Sequence, residues 1–511
     1  MPSGVTAVFW GVGFLFLGLQ VLLRLTQDGK EPKAIETTIP FLSPIIAMIR
    51  YKADVYTRLM DKYGLPIYTL RMPGARIYVV NSTNLIPVVQ RQFRTVAFTP
   101  FAARAFKYAM GGSKTANDIM ATDMTEDHGY LMSFDTAIHP AVSPGPALDA
   151  MNRASVRAVA VSLDKLRRQS PITVDMYKWI QHEVLLATTD AVYGPQNPYR
   201  NPAMEEAWYI YEPRITTFML NLLPAITAKR SLKARELMVQ NFEDYFKAGG
   251  QNQASELVRR RYEHNVQNHL AISDIARTEI GGSFALLSNT IPATFWLLWQ
   301  ILSDPTLFKD CRQELLEGVQ ESEGVCKIDV DYIKTSCPIF LSTFQEVFRF
   351  YGINNSVRMV LEDHMLVGQY LLKKGSTVMM PAPVQHSIQS VWGSDVAKFN
   401  HKRFVRAPGS KRHNPVAFRG FGGGTTLCPG RHFATCEILA FAALTVLQLE
   451  IMPVRGKWTR PSTEKTSMAG AIPTPDHDVK ITVRPIGSQS WTAVLSDSDK
   501  PIPISVEDND E

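Results

Sequence analysis

The chain has 511 residues, of which 45% are hydrophobic and 20% are charged, and its formal net charge is +6. This is the composition of an ordinary globular protein with enough apolar material for a large core, and the mild positive charge gives no sign of a nucleic-acid partner. The cysteines, 5 in number, stand at irregular spacing, which argues against a disulfide framework and favours a reducing compartment.

The first element in chain order is an uncharged run, VTAVFWGVGFLFLGLQVLL, at residues 5–23. It is about long enough to cross a bilayer as a helix. Arg24 and two lysines follow it, so the positive-inside rule places the rest of the chain in the cytosol. No basic stretch precedes the run and no small-x-small cleavage site follows, which favours an uncleaved anchor over a cleaved signal peptide. We therefore predict a transmembrane anchor over residues 1–25 and a proline-containing hinge over residues 26–45.

The globular domain is predicted to cover residues 46–487. Near its start, residues 66–82 alternate apolar and polar side chains around Pro73-Gly74, which predicts a β-hairpin. The periodicity beyond the hairpin predicts chiefly helices, and residues 471–485 predict a turn that leads into one more strand. The last stretch, DSDKPIPISVEDNDE, is acidic, and we predict a disordered tail over residues 488–511.

A second uncharged run, IGGSFALLSNTIPATFWLLWQILS, occupies residues 280–303. The polar residues and the proline at its middle argue against a lipid-facing helix, so we predict the buried central helix of the domain. Pro292 has no amide hydrogen to give to the Ser288 carbonyl, and the helix should therefore open around Asn289 and Thr290. Such an opening either forms a groove for water or a small polar ligand, or only improves packing.

The stretch FRGFGGGTTLCPGRHFATCEI surrounds Cys428 with glycines. The glycines at positions 422, 423 and 424 let the backbone approach a flat ligand closely, and Pro429 suits the first turn of a helix. Amide donors at that helix start should favour a thiolate. A nucleophilic thiolate would need a base, for which His432 could be proposed, and zinc would need three further ligands. A single thiolate beside a glycine-rich turn suits haem iron.

These motifs resemble those of the cytochrome P450 family, from the hinge to about Arg484. The family signature F-x-x-G-x-x-x-C-x-G is matched by Phe421, Gly424, Cys428 and Gly430. The family motif E-x-x-R is matched by Glu346 and Arg349 in TFQEVFRF, and its F-x-P-E-R-F loop by FNHKRF, which supplies Arg403. The string NTIPATFW and the C-P-G-R-x-F-A motif resemble those of the family branch that contains cholesterol 7α-hydroxylase and prostacyclin synthase. Within that branch the likeness suggests a fungal type of enzyme.

The resemblance implies a mainly α (α+β) fold with a long central helix and small β-sheets. It implies heme b as the cofactor, with Cys428 as the axial thiolate ligand of its iron, and Arg358 as a partner of a haem propionate. The remaining loop residues that it assigns to the cofactor are Phe421, Gly422, Gly424 and Gly430. It assigns a structural role in the core to Glu346, Arg349 and Arg403. On the distal side it assigns proton delivery to Thr290 and the orientation of water to Asn289.

The sequence departs from the family pattern at several positions. The usual basic residue two positions before the cysteine, a second propionate partner, is Thr426 here. No W-x-x-x-R motif stands in residues 121–142, so propionate binding would depend on Arg358 and on His139 or other groups. In the central helix the usual acid is replaced by Asn289. The usual proline and glutamate of the F-x-P-E-R-F loop are also absent, which predicts a different turn there.

Charge suggests an electron donor. Residues 396–436 contain no Asp or Glu, but they contain Lys398, Lys402, Arg403, Arg406, Lys411, Arg412, Arg419 and Arg431. This predicts a basic face beside the thiolate ligand that attracts an acidic flavoprotein, although a solvated loop would have the same composition. The resemblance implies NADPH–cytochrome P450 reductase as the donor.

The first functional hypothesis is a single-pass enzyme of the endoplasmic reticulum membrane with a cytosolic catalytic domain. It would insert oxygen from O2 into a lipophilic substrate (a terpenoid, steroid-like compound, polyketide or alkaloid) in secondary metabolism. By family position, residues 98–108, residues 216–223, Ala285 and residues 468–471 would line the substrate pocket. One alternative is a haem-thiolate isomerase or dehydratase that needs no reductase, which the missing acid suggests. The other is a non-catalytic haem sensor or electron carrier.

Overall fold

The computed structural model describes residues 4–221, 223–405 and 413–496. Helices make up 58% of the structure, compared with about a third in an average globular domain. The strands form small separate sheets. The predicted mainly α fold with small β-sheets is therefore confirmed.

Helices of the first half are α1 (Gly4–Thr26), α2 (Ser43–Tyr51), α3 (Asp54–Tyr63), α4 (Ile86–Arg91), α5 (Thr99–Ala105), α6 (Lys114–Ala121), α7 (Tyr130–Val142), α8 (Pro146–Gln169), α9 (Met176–Tyr193), α10 (Pro202–Tyr211), α11 (Ile215–Met219), α12 (Pro224–Thr227) and α13 (Lys229–Lys247). Those of the second half are α14 (Glu256–Gln267), α15 (Ile272–Leu287), α16 (Thr290–Ser303), α17 (Pro305–Glu317), α18 (Val330–Ser336), α19 (Pro338–Tyr351), α20 (Ala382–His386), α21 (Gln389–Trp392) and α22 (Arg431–Gln448). Several of these begin with proline, which lacks only an amide hydrogen that the first turn does not use.

The strands are β1 (Ile67–Met72), β2 (Ala75–Val80), β3 (Val96–Ala97), β4 (Ile172–Asp175), β5 (Val319–Ser322), β6 (Val325–Asp329), β7 (Asn355–Val360), β8 (His364–Leu366), β9 (Tyr370–Leu372), β10 (Thr377–Pro381), β11 (Leu449–Pro453), β12 (Lys480–Pro485) and β13 (Ser490–Val494). The sheet orders are β1-β2-β10-β7-β3, β11-β12-β4, β13-β6-β5 and β8-β9. The predicted hairpin is confirmed as the antiparallel pair β1–β2, whose register places Met72 opposite Ala75. The predicted late strand is confirmed as β12.

The predicted central helix consists of α15 and α16, which are separated at Ser288 and Asn289. The helix α16 is almost wholly buried and packs against α9, α17, α19 and α22. Within the part of the chain that the structure describes, Ile272–Ser303 is the helical stretch long and apolar enough to cross a membrane, and 72% of its most apolar window is buried inside the protein. It is a core helix, as predicted.

The amino-terminal segment divides into a helix with exposed apolar side chains and a segment packed on the domain. In α1 the side chains of Trp10, Phe14 and Leu17 are exposed, and the first three residues of the predicted anchor lie outside the described residues. The predicted hinge differs from the structure, because Glu31 is buried and accepts a hydrogen bond of 2.6 Å from the Tyr78 hydroxyl. Part of the segment predicted as a hinge is therefore packed against β2.

The predicted disordered tail is also shorter in the structure. Within residues 488–511, the strand β13 pairs in parallel with β6. The buried side chains of Trp491 and Ala493 in β13, and of Leu495 directly after it, alternate with less buried neighbours, as expected for a strand that packs one face on a core. This short alternation was overlooked because polar and acidic residues surround it. Residues 497–511 of the predicted tail lie outside the described residues.

Candidate functional site

The loop that carries Cys428 folds back on itself. The Cys428 N–H donates to the Phe421 carbonyl oxygen at 2.9 Å. Gly422 and Gly424 have φ values of 83° and 58°, in the left-handed region that favours glycine. A Cβ atom on Gly422 would lie 2.7 Å from the Thr426 carbonyl oxygen. The two glycines therefore permit the tight turn that presents the cysteine.

The sulfur of Cys428 is half-buried just before the start of α22. Burial raises the pKa of the Cys428 thiol, while a hydrogen bond from the Gly430 N–H and the charge of Arg431 lower it without cancelling the rise. The predicted thiolate therefore does not follow from the helix start alone. Coordination to a metal ion deprotonates a thiol outright, so a bound metal would complete the ionisation.

An aromatic stack fixes the same loop to α19. The Phe421 ring is stacked on Phe348, with centroids 4.6 Å apart, and lies 6.5 Å from the Phe344 ring. Both partners are buried on α19, the helix that also carries Glu346 and Arg349. The stack therefore fixes the position of the Cys428 loop relative to the buried ion cluster of Glu346 and Arg349.

That cluster brings together the three residues assigned to the structural core. Glu346, fully buried, accepts hydrogen bonds from Arg349 Nε and Nη2, both at 2.7 Å, and from Arg403 Nε at 3.0 Å. Arg403 also forms an ion pair of 2.9 Å with Asp395, a carboxylate that sequence reasoning missed. Hydrogen bonds from Arg403 and from Asn400 lower the pKa of Asp395 to about 2.

Asn400 also replaces the proline that the loop of Arg403 lacks. Its side chain accepts a hydrogen bond of 3.0 Å from the Lys402 N–H, and its own N–H donates to Glu346 at 3.0 Å. Asparagine builds such turns by capping the amide two residues ahead. The FNHKRF turn thus brings Arg403 to Glu346 without the usual proline and glutamate of the loop.

The break in the central helix places two hydroxyl groups against the preceding turn. Ser288 Oγ donates to the Phe284 carbonyl oxygen at 2.6 Å, and Thr290 Oγ1 donates to the Leu286 carbonyl oxygen at 2.9 Å. Because the Thr290 proton is used in this way, its oxygen is left as a hydrogen-bond acceptor. Ala285 is exposed and Asn289 is half-buried one turn later, so this face of the helix is not fully covered by packed side chains.

Asn289 ties the break to a distant loop. Its Oδ1 atom accepts a hydrogen bond of 2.6 Å from the Ala471 N–H, and the Ala471 carbonyl oxygen accepts one of 2.8 Å from the Ile353 N–H. About two turns further along the helix, Trp296 Nε1 donates to the Pro473 carbonyl oxygen at 2.7 Å. The segment that family position assigned to the pocket is therefore fastened to the central helix. The side-chain Oδ1 of Asn289 is therefore engaged by backbone, and the NH2 group is the remaining polar group of this side chain.

Arg358 joins β7 to the cysteine loop. It is 1% exposed and donates to the Val357 carbonyl oxygen at 2.7 Å, to Ser356 Oγ at 3.2 Å and to Thr426 Oγ1. Burial and the positive charge of Arg419 lower the pKa of Arg358 to about 10. No carboxylate among the described residues forms an ion pair with Arg358.

These residues fit haem as a ligand. Glycines shape a close turn, one half-buried thiol stands on it, and a buried guanidinium with no acidic partner in the described structure lies beside it. A propionate would supply the missing negative charge to Arg358. No group of three or more His, Cys, Asp or Glu side chains in the described ranges could hold a metal ion.

The surroundings of His139 and of the predicted basic face are as follows. His139 lies on α7, is exposed and contacts Ser143 Oγ at 3.1 Å. In the predicted basic face, the side chains of Arg403 and Arg419 are buried and Lys402 forms an ion pair of 2.8 Å with Asp310. The lysine and arginines at positions 406, 411 and 412 lie outside the described residues. Among the described members of this run, only Lys398 is both exposed and outside an ion pair.

A cavity of about 430 Å³ lies elsewhere, near the first turn of α15. Its lining includes Ser113 and Asp274, and Asp274 accepts hydrogen bonds from the Ser113 N–H at 2.8 Å and from Ser113 Oγ at 2.7 Å. None of the residues assigned to the cofactor lines it. This cavity is separate from the cysteine loop.

Comparisons with known proteins agree with the geometry. A family model described as Cytochrome P450 matches residues 36–481. The chain is 33% identical over 94% of its length to "Cytochrome P450 monooxygenase nodJ" of Hypoxylon pulicicidum, of which it covers 96%. It is 22% identical over 88% of its length to "Cytochrome P450 7B1" of Mus musculus, of which it covers 91%. It is 26% identical over 50% of its length to "Cholesterol 7-alpha-monooxygenase" of Cricetulus griseus, of which it covers 54%.

Proposed function

The chain belongs to the cytochrome P450 family and is a monooxygenase of that family, and from this premise we propose that it oxidises a lipophilic substrate at a membrane. The substrate class is a terpenoid, steroid-like, polyketide or alkaloid skeleton, and the setting is secondary metabolism. The observation that carries the proposal is the cysteine loop, in which Cys428 is presented by a glycine turn and fixed to α19 through Phe421.

Cys428 would hold the iron of heme b, with Phe421, Gly422, Gly424 and Gly430 forming the turn around its sulfur. When bound, the haem supplies the reduction of O2 with two electrons and the insertion of one oxygen atom into the substrate, while the other atom leaves as water. The Gly430 N–H donates to the sulfur and so helps to hold its negative charge. Arg358 would hold one propionate from the β7 side.

On the distal side, Thr290 and Asn289 have different tasks. The Thr290 hydroxyl donates a hydrogen bond to the Leu286 carbonyl oxygen. Its oxygen can therefore accept a hydrogen bond from a donor in the pocket, such as a water molecule that carries a proton. Asn289 fastens the loop at Ala471 and offers its NH2 group as a donor. Neither side chain titrates near neutral pH, so protons reach the reacting oxygen through water that these two residues orient.

The proposed location is the endoplasmic reticulum membrane, with residues 1–25 as a single-pass anchor and the catalytic domain in the cytosol. The exposed apolar side chains of α1 support this location. Further apolar side chains are exposed on the domain, namely those of Ile46, Ile49, Leu220, Leu223 and Ile226. Exposed apolar groups of this kind mark surfaces that meet lipid or a partner. A lipophilic substrate dissolved in the bilayer would then reach the pocket without crossing water.

The proposed electron source is NADPH, through NADPH–cytochrome P450 reductase in the same membrane. This proposal rests on the usual electron donor of the family. Among the described residues of the predicted basic face, Lys398 alone is both exposed and outside an ion pair. Two of the three relatives named above have the word monooxygenase in their names. This favours a reductase-dependent reaction over an isomerase or an electron carrier.

Microsomes that contain the full-length chain and the reductase test the proposal when they are given NADPH, oxygen-18 gas and candidate lipophilic substrates. The expected product carries one labelled oxygen atom and forms only with NADPH. An unlabelled rearranged product that forms without NADPH would establish the isomerase, and haem reduction without any product from a broad substrate panel would favour the carrier. The matched controls are Cys428→Ala, which should abolish the reaction, and Cys436→Ala, which alters a buried thiol on α22 and should retain it.

A further inference from the structure

The segment that follows α1 is joined to the edge of the five-stranded sheet. β1 is an edge strand of that sheet, and its Thr69 N–H donates to the Lys33 carbonyl oxygen at 2.9 Å. The Ile35 N–H in turn donates to the Thr69 carbonyl oxygen at 3.0 Å, and Ala34 pairs with Thr69 in parallel. Residues 33–35 therefore cover the edge of the sheet as a short added strand, which a freely moving linker would not do.

Glu31 forms a buried polar cluster between this segment and the sheet. Its side chain is fully buried, and its Oε2 atom forms an ion pair of 3.0 Å with Arg76 Nε on β2. The same oxygen accepts a hydrogen bond of 2.6 Å from the Tyr78 hydroxyl. The other oxygen accepts one of 2.9 Å from the Asp28 N–H. This Glu31 cluster is costly to pull apart, because a charge that stayed buried without its partner would be uncompensated.

Two arginines of the β1–β2 hairpin contact the end of α1. Arg71 and Arg76 lie directly opposite each other in the register of the hairpin, where like charges destabilise a sheet. Arg71 Nη2 donates to Thr26 Oγ1 at 2.8 Å, and Arg76 Nη2 donates to the Thr26 carbonyl oxygen at 2.9 Å. Thr26 is the last residue of α1, and the negative end of a helix dipole favours cations there. Arg76 thus contacts both the end of α1 and Glu31.

We propose that Glu31 and Arg76 are positioning residues that fix the angle between the membrane anchor and the catalytic domain. This inference rests on the proposed function, in which α1 spans the bilayer and a lipophilic substrate arrives from it. A flexible chain of about ten residues has an end-to-end distance of roughly 16–19 Å and would let the domain turn freely. The Glu31 cluster and the added strand replace that freedom with one orientation. The pocket then keeps one position relative to the lipid that supplies its substrate.

A distance measurement between two spin labels tests this angle. The labels are nitroxides on cysteines introduced at Leu17 of α1 and at Leu237 of α13, both of which are exposed, in the full-length, haem-loaded chain in phosphatidylcholine nanodiscs. Double electron–electron resonance should give a narrow distance distribution for the parent. Glu31→Ala and Arg76→Gln should each broaden it at least about twofold, because the remaining partner loses its opposite charge and the segment is released. Glu31→Gln, which keeps the shape and one acceptor, should lie between Glu31→Ala and the parent.

Two controls separate this positioning role from a general loss of stability. Glu36 is an exposed acid of the same segment, so Glu36→Ala removes a charge outside the Glu31 cluster and should leave the width of the distribution unchanged. The carbon monoxide spectrum of each variant checks that its domain is folded around the haem.

The proposal would be overturned if Glu31→Ala and Arg76→Gln kept the width of the parent, or if Glu36→Ala broadened the distribution equally. A parent distribution as broad as that of the two variants would overturn it as well. A parent that failed to enter the nanodiscs would contradict the anchor of the proposed function, and the positioning role would fall with it.

Discussion

Replacing Glu346 with glutamine would remove the negative charge from the most buried ion cluster in the domain. The Glu346 carboxylate accepts two hydrogen bonds of 2.7 Å from Arg349 and one of 3.0 Å from Arg403. Glutamine has almost the same shape, but its NH2 group would point a donor at guanidinium donors. Arg403 keeps Asp395 as a partner at 2.9 Å, whereas the ion pair of Arg349 is with Glu346.

The expected loss of stability follows from burial. Breaking a buried ion pair by removing one partner costs about 3–5 kcal/mol, because the other charge stays buried without compensation. An unfolding entropy of about 2.1 cal/mol/K per residue, taken over the 511 residues of the chain, corresponds to roughly 1 kcal/mol per degree. Glu346→Gln should therefore lower the unfolding temperature of the haem-loaded protein by about 3–5 °C.

Thermal unfolding followed by circular dichroism and by the Soret band measures this change. The matched control is Asp395→Asn, whose carboxylate is 42% exposed. Because Arg403 retains Glu346, the control should cost less than about 1 kcal/mol and lower the unfolding temperature by about 1 °C or less. A Glu346→Gln protein that unfolds within about 1 °C of the parent would refute the reasoning.

Three further predictions concern the site. Cys428→Ser should abolish the red-shifted Soret band of the reduced protein with carbon monoxide, and a retained band would show that another residue ligates the iron. Thr290→Ala should lower the yield of product per NADPH by roughly an order of magnitude, with hydrogen peroxide formed instead, whereas Thr290→Ser should stay near the parent; an unchanged yield in Thr290→Ala contradicts the assignment. Asn289→Ala removes the hydrogen bond to Ala471 and should shift the ratio of product isomers by about 2- to 10-fold. Asn289→Asp keeps the acceptor and should shift it less, while equal ratios in both variants would show that the loop does not depend on this bond.

Sequence reasoning succeeded where the signal lies within a few neighbouring residues. The alternation around Pro73-Gly74 predicted the hairpin, and Pro292 predicted the opening of the central helix at Ser288 and Asn289. Glu346 and Arg349 face each other because they are three residues apart on one helix. Such local geometry is fixed by helix and turn chemistry, so it can be read before the fold is known.

Contacts between distant parts of the chain gave no such signal. Asn289 and Ala471 stand 182 residues apart, and nothing in either segment indicates the other. The sequence does not indicate Asp395 as a partner of Arg403, because the two residues are eight positions apart and no helix or strand periodicity relates them. The predicted basic face depends on packing in the same way: the run of like charges is visible in the sequence, but the burial of Arg419 and the pairing of Lys402 with Asp310 depend on tertiary packing.

The pairing of β13 with β6 also governs where the chain can be shortened. If the polypeptide stopped at Pro485, the β6 strand would lose its parallel neighbour, and its outer backbone groups would become an open edge that can recruit another molecule. The surface that Trp491 covers would be exposed at the same time. Purification tags and deletions at this terminus are therefore best placed after Ser496, and shorter variants should self-associate during expression.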